Sequence, residues 1–478
     1  MTDPVPPAPG SLESFTPRRG DLRALVRLAL PVAIVQVAMM AMGAVDTIMV
    51  GRVSPTDLAA VALGNLYVFG VTVFGMGVLF ALDPVISQAV GAGDAVGVAR
   101  GVQRGGMLSL GLTVVAVLLL LPAGPFLRAL DQPADVVPVA AGYALASIPG
   151  VLPFYGFNVL RQSLQAMGRI TPILATVLLA NLANVFFNWV LIFGNLGFPA
   201  LGAVGTGWAK SLSRWVMMLA LLALAWPLLR PAVVPFRPEV TAPGPLFRFL
   251  RLGAPIGAQQ FLEFGVFGAA GLLMGWMGTV AMASHQVALN LAALTFMVPV
   301  GVAQATAVLV GQGVGRGDPP GARRSAGAGL LAGAGFMTLA AVLLLSAPDL
   351  LARVYTDEPR VLGLAAMLIP IAGIFQVFDG LQVVSAGVLR GVGDTRVPML
   401  LNLVGFWLVG LPVSYVLGFV VEVGPAGIWW GLAAGIGLVA VLLVARVRTR
   451  LGRDLRRLVI DDDEETRAPE ATEVPVAP

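Results

Sequence analysis

Ser87-Gln88-Ala89-Val90-Gly91-Ala92-Gly93-Asp94 returns 224 positions later as Gly311-Gln312-Gly313-Val314-Gly315-Arg316-Gly317-Asp318. The same offset, without gaps, sets Arg27 on Arg251, Pro31 on Pro255, Gln36 on Gln260, Gly51 on Gly275, Gly97 on Gly321 and Arg100 on Arg324. With small gaps, Leu164-Gln165-Ala166-Met167-Gly168 faces Leu389-Arg390-Gly391-Val392-Gly393. A bias toward glycine and alanine produces chance matches among small residues, but not paired Arg, Gln, Asp and Pro at one shift. The chain is therefore read as two copies of one unit.

Composition sets the solvent of those units. The 478 residues are 57% hydrophobic and 12% charged, with mean hydropathy +0.87. A water-soluble domain carries roughly 25% charged residues, so most of this surface must face lipid. Apolar runs long enough to span a bilayer lie near 23–50, 58–86, 105–122, 137–158, 172–194, 203–229, 252–275, 283–310, 326–346, 361–386, 398–420 and 428–445. Six spans per unit is an even number, so the second unit re-enters from the same side as the first. The fold expected is an all-α membrane protein: twelve transmembrane helices in two parallel six-helix lobes related by pseudo-twofold symmetry, with a site between them near the midplane. The divisions expected are a cytoplasmic N-terminal tail (1–21), an N-terminal lobe (22–235), a C-terminal lobe (236–450) and a disordered cytoplasmic tail (451–478). Arg230 to Arg251, with five prolines, reads as the linker.

Arginine orients the bundle. With the N-terminus inside, only Arg52, Arg128, Arg353 and Arg360 of the 30 basic residues face outward, while Lys210 and Arg214 lie within the sixth span. A miscounted helix would have scrambled this bias. The first twenty residues are proline-rich and lack an apolar core, so no cleaved signal peptide is expected. The location expected is a bacterial inner membrane, multi-pass, with both termini cytoplasmic. The absence of cysteine excludes disulfides, thiolate metal sites and a cysteine nucleophile. One histidine is too few for a histidine zinc site. The scattered arginines form no nucleic-acid surface, Gly91-Ala92-Gly93-Asp94 lacks the lysine of a phosphate loop, and no enzyme constellation is visible. No cofactor is expected.

Ionisable residues inside the spans are the informative ones, because a carboxylate at the bilayer centre costs about 2.5–3.5 kcal/mol on insertion scales. Glu263, in Gln259-Gln260-Phe261-Leu262-Glu263, falls roughly 20 Å into the seventh span. Asp379 lies in the tenth span between Gln376 and Gln382, three residues away on either side and on its own helix face. Asp46 sits nearer the outer end of the first span, placed either to act in coupling or to snorkel outward. Asp83 precedes Pro84 near the inner end of the second, and its repeat mate is Ala307; a structural pairing with a basic residue and a part in transport are both open. Asn181, Asn184 and Asn188 form one polar stripe, as cation or substrate ligands or as interhelical glue. His285-Gln286 opens the eighth span near the outer surface. Lys210 and Arg214 balance an acid such as Asp46 or reach the outer interface.

Several stretches together resemble the multidrug and toxic compound extrusion (MATE) transporters, most like the NorM type, over about residues 20–445. They are Val45-Asp46-Thr47-Ile48-Met49-Val50-Gly51, Ser87 to Asp94, Leu252-Gly253-Ala254-Pro255 with Glu263, Ala283-Ser284-His285-Gln286 through Met297-Val298-Pro299, and Leu389-Arg390-Gly391-Val392-Gly393-Asp394-Thr395 after Asp379. The resemblance implies a two-lobed, secondary active multidrug exporter, monomeric, moving lipophilic organic cations in exchange for Na⁺ or H⁺. It implies that Glu263 and Asp379 hold the coupling ion, Na⁺ included, and that Asp46 serves coupling in the N-terminal lobe. Gln260, Gln376, Gln382, Asn181, Asn184, Asn188, Asp83 and His285 are the candidate supporting residues. Two other readings stand beside it: a flippase for lipid-linked precursors of the same superfamily, which calls for an arginine-lined cleft, and a membrane-embedded enzyme acting on polyprenyl substrates, which calls for large polar loops with paired acids.

Overall fold

The computed structural model describes residues 12–461, and the described residues are helical with no strand. Eleven helices are long and apolar enough to cross a membrane. They are α1 (Arg19–Val50), α2 (Pro55–Gly91), α3 (Ala95–Leu120), α4 (Val137–Ala166), α5 (Thr171–Phe193), α7 (Pro243–Trp276), α8 (Thr279–Gly315), α9 (Pro319–Ser346), α10 (Pro359–Gly391), α11 (Arg396–Val420) and α12 (Pro425–Leu451). The place of α6 is taken by Gly202–Leu224, which qualifies together with Trp226–Val233 across an 88° bend. Successive helices run antiparallel, so α1–α6 and α7–α12 each begin at the end where the arginines gather.

Local chemistry sets the helix ends in matched pairs. Asp94 and Asp318 cap α3 and α9 by accepting the N–H groups of Gly97 (2.7 Å) and Gly321 (2.9 Å). The chain reverses before them at Gly93 (φ 71°) and Gly317 (φ 67°), a left-handed conformation that suits glycine. The linker is largely helical. Trp226–Val233, a 3₁₀ turn at Pro238–Thr241 and the first two turns of α7 fill it, because proline at the first helical positions presets φ and lacks only a donor that would be unused.

The lobes meet through equivalent contacts. A β-carbon at Gly77 of α2 would overlap Gly257 of α7, and one at Gly301 of α8 would overlap Ala33 of α1; these pairs exchange under the repeat offset. Toward the arginine-rich end the crossing is tighter. Gly91 packs on the backbone of Gln312, and Gly315 on that of Gln88. The amides of those glutamines then bridge the lobes symmetrically. Gln88 Nε2 donates to the Gly391 carbonyl and Gln312 Nε2 to the Ala166 carbonyl, each at 2.9 Å. Gln165 Nε2 to Gln304 Oε1 (3.1 Å) and the Arg324–Asp21 ion pair (3.2 Å) add to this closure.

Part of the C-terminal tail lies on the same face. Of the segment read as disordered, residues 452–461 are described and cross from α12 onto the first lobe. Leu458 N–H donates to Gln88 Oε1 (2.8 Å), Arg457 pairs with Asp94, and Asp461 pairs with Arg104 and with Arg100 (3.4 Å). Residues 462–478, and 1–11 of the N-terminal tail, lie outside the described residues.

Candidate functional site

α7 and α10 bring Glu263 and Asp379 to one cavity of about 240 Å³. Its other walls include Gln260, Phe264, Phe296 and Phe375 of the second lobe, and Phe69 and Val73 of α2 in the first. Among the described residues no lysine or arginine lines it. Asp379 is buried, 6% exposed. Both carboxyl groups line this one space, an arrangement that suits a bound cation. The aromatic wall complements a flat apolar body, and ring faces favour positive charge.

The supporting glutamines divide their work. Gln382 interacts with Glu263 but makes no well-aligned hydrogen bond, leaving both amide atoms buried and available. Gln260 lines the cavity beside Glu263. Gln376, expected to hold Asp379 or an ion, instead donates to Thr295 Oγ1 at 2.6 Å and to the Ala292 carbonyl at 3.4 Å, tying α10 to α8. Among the described residues no cluster of three or more His, Cys, Asp or Glu could hold a metal ion.

In the first lobe Asp46 is buried (3% exposed) rather than snorkelled. Its Oδ1 accepts from Asn184 Nδ2 (3.0 Å) and Asn188 Nδ2 (2.7 Å), and its Oδ2 lies 3.9 Å from Lys210 Nζ. Lys210 is held in turn by Asn65 Oδ1 (2.7 Å) and the Tyr143 hydroxyl (3.2 Å). The acid thus already faces a cation supplied by its own lobe. Asn181 turns away from this cluster and donates to the Ala38 and Val177 carbonyls. It acts as the interhelical tie, while its two stripe-mates bind the carboxylate.

Two further residues stand apart from the carboxylate cavity. His285, seven residues into α8, is buried within the lobe at 1% exposure with its ring edge-on to Trp429, 5.5 Å between centroids. Trp429 packs in turn against Phe375 of the cavity wall. Asp83 is fully buried and forms an ion pair with Arg390 of the other lobe at 3.2 Å. Phe69, Phe264, Phe296 and Thr295 were not singled out by sequence. Their helical phase fixes a face but not which helix that face meets.

Comparison with known proteins agrees with this architecture. The family model MatE matches residues 31–190 and 255–416, one stretch in each repeat, and the chain belongs to that family of transporters. Its fold is similar to that of the eukaryotic MATE transporter AtDTX14, with TM-score 0.82 and 21% identity over 91% of this chain and 98% of that one. It is similar also to a multidrug resistance MATE family transporter in an outward-facing conformation, with TM-score 0.81 and 19% identity over 93% of this chain and 98% of that one. A MOP superfamily transporter from Pyrococcus furiosus gives 0.79 and 18% over 90% and 96%. At these identities the likeness is one of fold.

Proposed function

We propose that this transporter exports lipophilic organic cations in exchange for Na⁺ or H⁺, with Glu263 and Asp379 as the exchange site. The observation that carries the reading is the cavity itself, where two carboxylates share an aromatic-walled space that no basic side chain lines. A cation bound there neutralises acids that otherwise repel each other. An organic cation and a coupling ion therefore compete for the same charge. For coupling, the ion must favour one orientation of the lobes over the other. Sodium would take oxygen ligands from the two carboxylates and from Gln260 or Gln382, while a proton needs only one carboxylate.

The arginine-rich end is assigned to the cytoplasm by the positive-inside rule, in a bacterial inner membrane, and the protein acts as a monomer with both termini inside. Closure at that end leaves the cavity oriented outward. A lipid-linked precursor would require cationic groups around the cavity, and none lines it. Equilibrium binding of ethidium to the purified protein tests the reading. Affinity should fall as Na⁺ or acid is added and should be lost in Glu263→Gln and Asp379→Asn. Unchanged affinity in both variants would overturn it.

A further inference from the structure

A second, narrower cavity of about 80 Å³ continues from the carboxylate site toward the arginine-rich end. Gln260, Glu263, Gln382 and Ala386 line it, Phe80 and Arg390 stand further along, and Asp394, Thr395 and Pro398 line its far end. Arg390 lies over the Phe80 ring, with the guanidinium carbon 5.2 Å from the centroid, and pairs with Asp83 at 3.2 Å. Phe80 and Asp83 belong to the first lobe and Arg390 to the second, so the contact joins the lobes along the wall of this cavity.

We infer that Asp83 and Arg390 form the lock that holds the cytoplasmic side shut, and that its release gives the Glu263–Asp379 site its path inward. The inference rests on the exchange reading above for what the path serves.

Three observations support it. First, the pair breaks the twofold symmetry in a complementary way. The repeat mates of Asp83 and Arg390 are Ala307 and Gln165, which carry no charge, whereas the surrounding glutamine bridges obey the symmetry. Symmetric bridges close the end, and the ion pair adds one charged contact to one half of it. Second, Asp379 and Arg390 are eleven residues apart on α10, three turns and nearly the same face, roughly 16 Å along the axis. Gln382 and Ala386 lie between them on that face and line the same cavity as Arg390. A shift or rotation of α10 when Asp379 changes its occupant therefore moves Arg390 directly. Third, Arg161 of α4 waits on the first lobe's side. It donates to Gln36 Oε1 (2.8 Å) and Asn158 Oδ1 (3.1 Å) and keeps a buried Nε without a partner. Arg161 also acts electrostatically on Asp83, so a withdrawing Arg390 leaves that acid a second cation.

The chain has no cysteine, which makes the test direct. A single Ala386→Cys is placed in the narrow cavity, and its modification by a charged, membrane-impermeant thiol reagent is timed from the cytoplasmic face of inside-out vesicles. The parent should react slowly. Adding Asp83→Asn or Arg390→Gln should raise the rate at least tenfold, and Arg390→Lys, which keeps the charge, should leave it near the parent's. Equal rates in parent and neutral variants would overturn the lock. If the neutral variants fail to insert, Arg390→Lys decides alone: slow labelling supports the lock and fast labelling refutes it. The readout does not involve transport, so a failure of cation exchange with this labelling pattern intact would sink the functional reading and leave the lock standing.

Discussion

Gly315 of the second lobe packs its α-carbon against the backbone carbonyl of Gln88 in the first, with no room for a β-carbon. Gly91 makes the mirror contact with Gln312. The side chains of these glutamines then cap the opposite lobe's helix ends through Gly391 and Ala166. Close backbone approach and amide bridging are thus one device, used twice, and both depend on the absence of a side chain at the glycines.

Gly315→Ala should therefore push α8 from α2 and weaken the closed arginine-rich end, at about 1–3 kcal/mol for an overpacked contact. Gly268→Ala on α7, where a β-carbon meets nothing within 4 Å, should be neutral or slightly stabilising. Thermal unfolding of the two variants in the same detergent checks this. Equal melting temperatures would contradict it.

At Asp46 the loss of hydrogen-bond acceptors should matter more for stability than the loss of charge. Asp46→Asn retains a carbonyl for Asn184 and Asn188, and Lys210 retains Asn65 and Tyr143. Asp46→Leu leaves Asn184 Nδ2 with no acceptor and Asn188 Nδ2 with only Asn184 Oδ1, at a cost of about 1–3 kcal/mol. The leucine variant should melt clearly below the asparagine variant.

The tail contact has a defined pH response. Partial burial of Asp94 works against its ionisation, but the Arg457 guanidinium, the Gly97 N–H and the charge of Arg100 outweigh it and hold the carboxyl below its ordinary value. A depressed pKa gives stability that is present above the unfolded value, 3.8, and is lost as pH falls through the folded one. Hydrogen exchange at the Leu458 amide, which is bonded to Gln88, should show protection that is flat from neutral pH down to about pH 4, after correction for intrinsic rates. Protection that fell already between neutral pH and the ordinary carboxylate range would contradict this.

The repeat and the apolar runs made the spans and their division into two lobes legible before any coordinates, since both follow from lipid solvation. Individual partners were less legible. The stripe of Asn181, Asn184 and Asn188 was visible, but not that its last two members alone turn to Asp46, because a shift of one turn decides which backbone or side chain faces each. The sequence places Gln376 and Gln382 alike beside Asp379, but not that Gln376 Nε2 is taken up by Thr295 on another helix while its Oε1 stays without a partner. The Asp83–Arg390 contact had a signal in the sequence. Asp83 faces Ala307 and Arg390 faces Gln165 under the repeat, two departures of opposite charge at positions that the twofold brings together. Only the pairing of lobes in space turns those departures into a contact.

The most direct measurement of the central claim is uphill movement of an organic cation in proteoliposomes under an imposed Na⁺ or H⁺ gradient, with membrane potential clamped to zero. The account predicts accumulation against the cation's own gradient by the parent protein and none by Glu263→Gln or Asp379→Asn, with all three inserted to the same extent. Accumulation by both variants as steep as the parent's would contradict it.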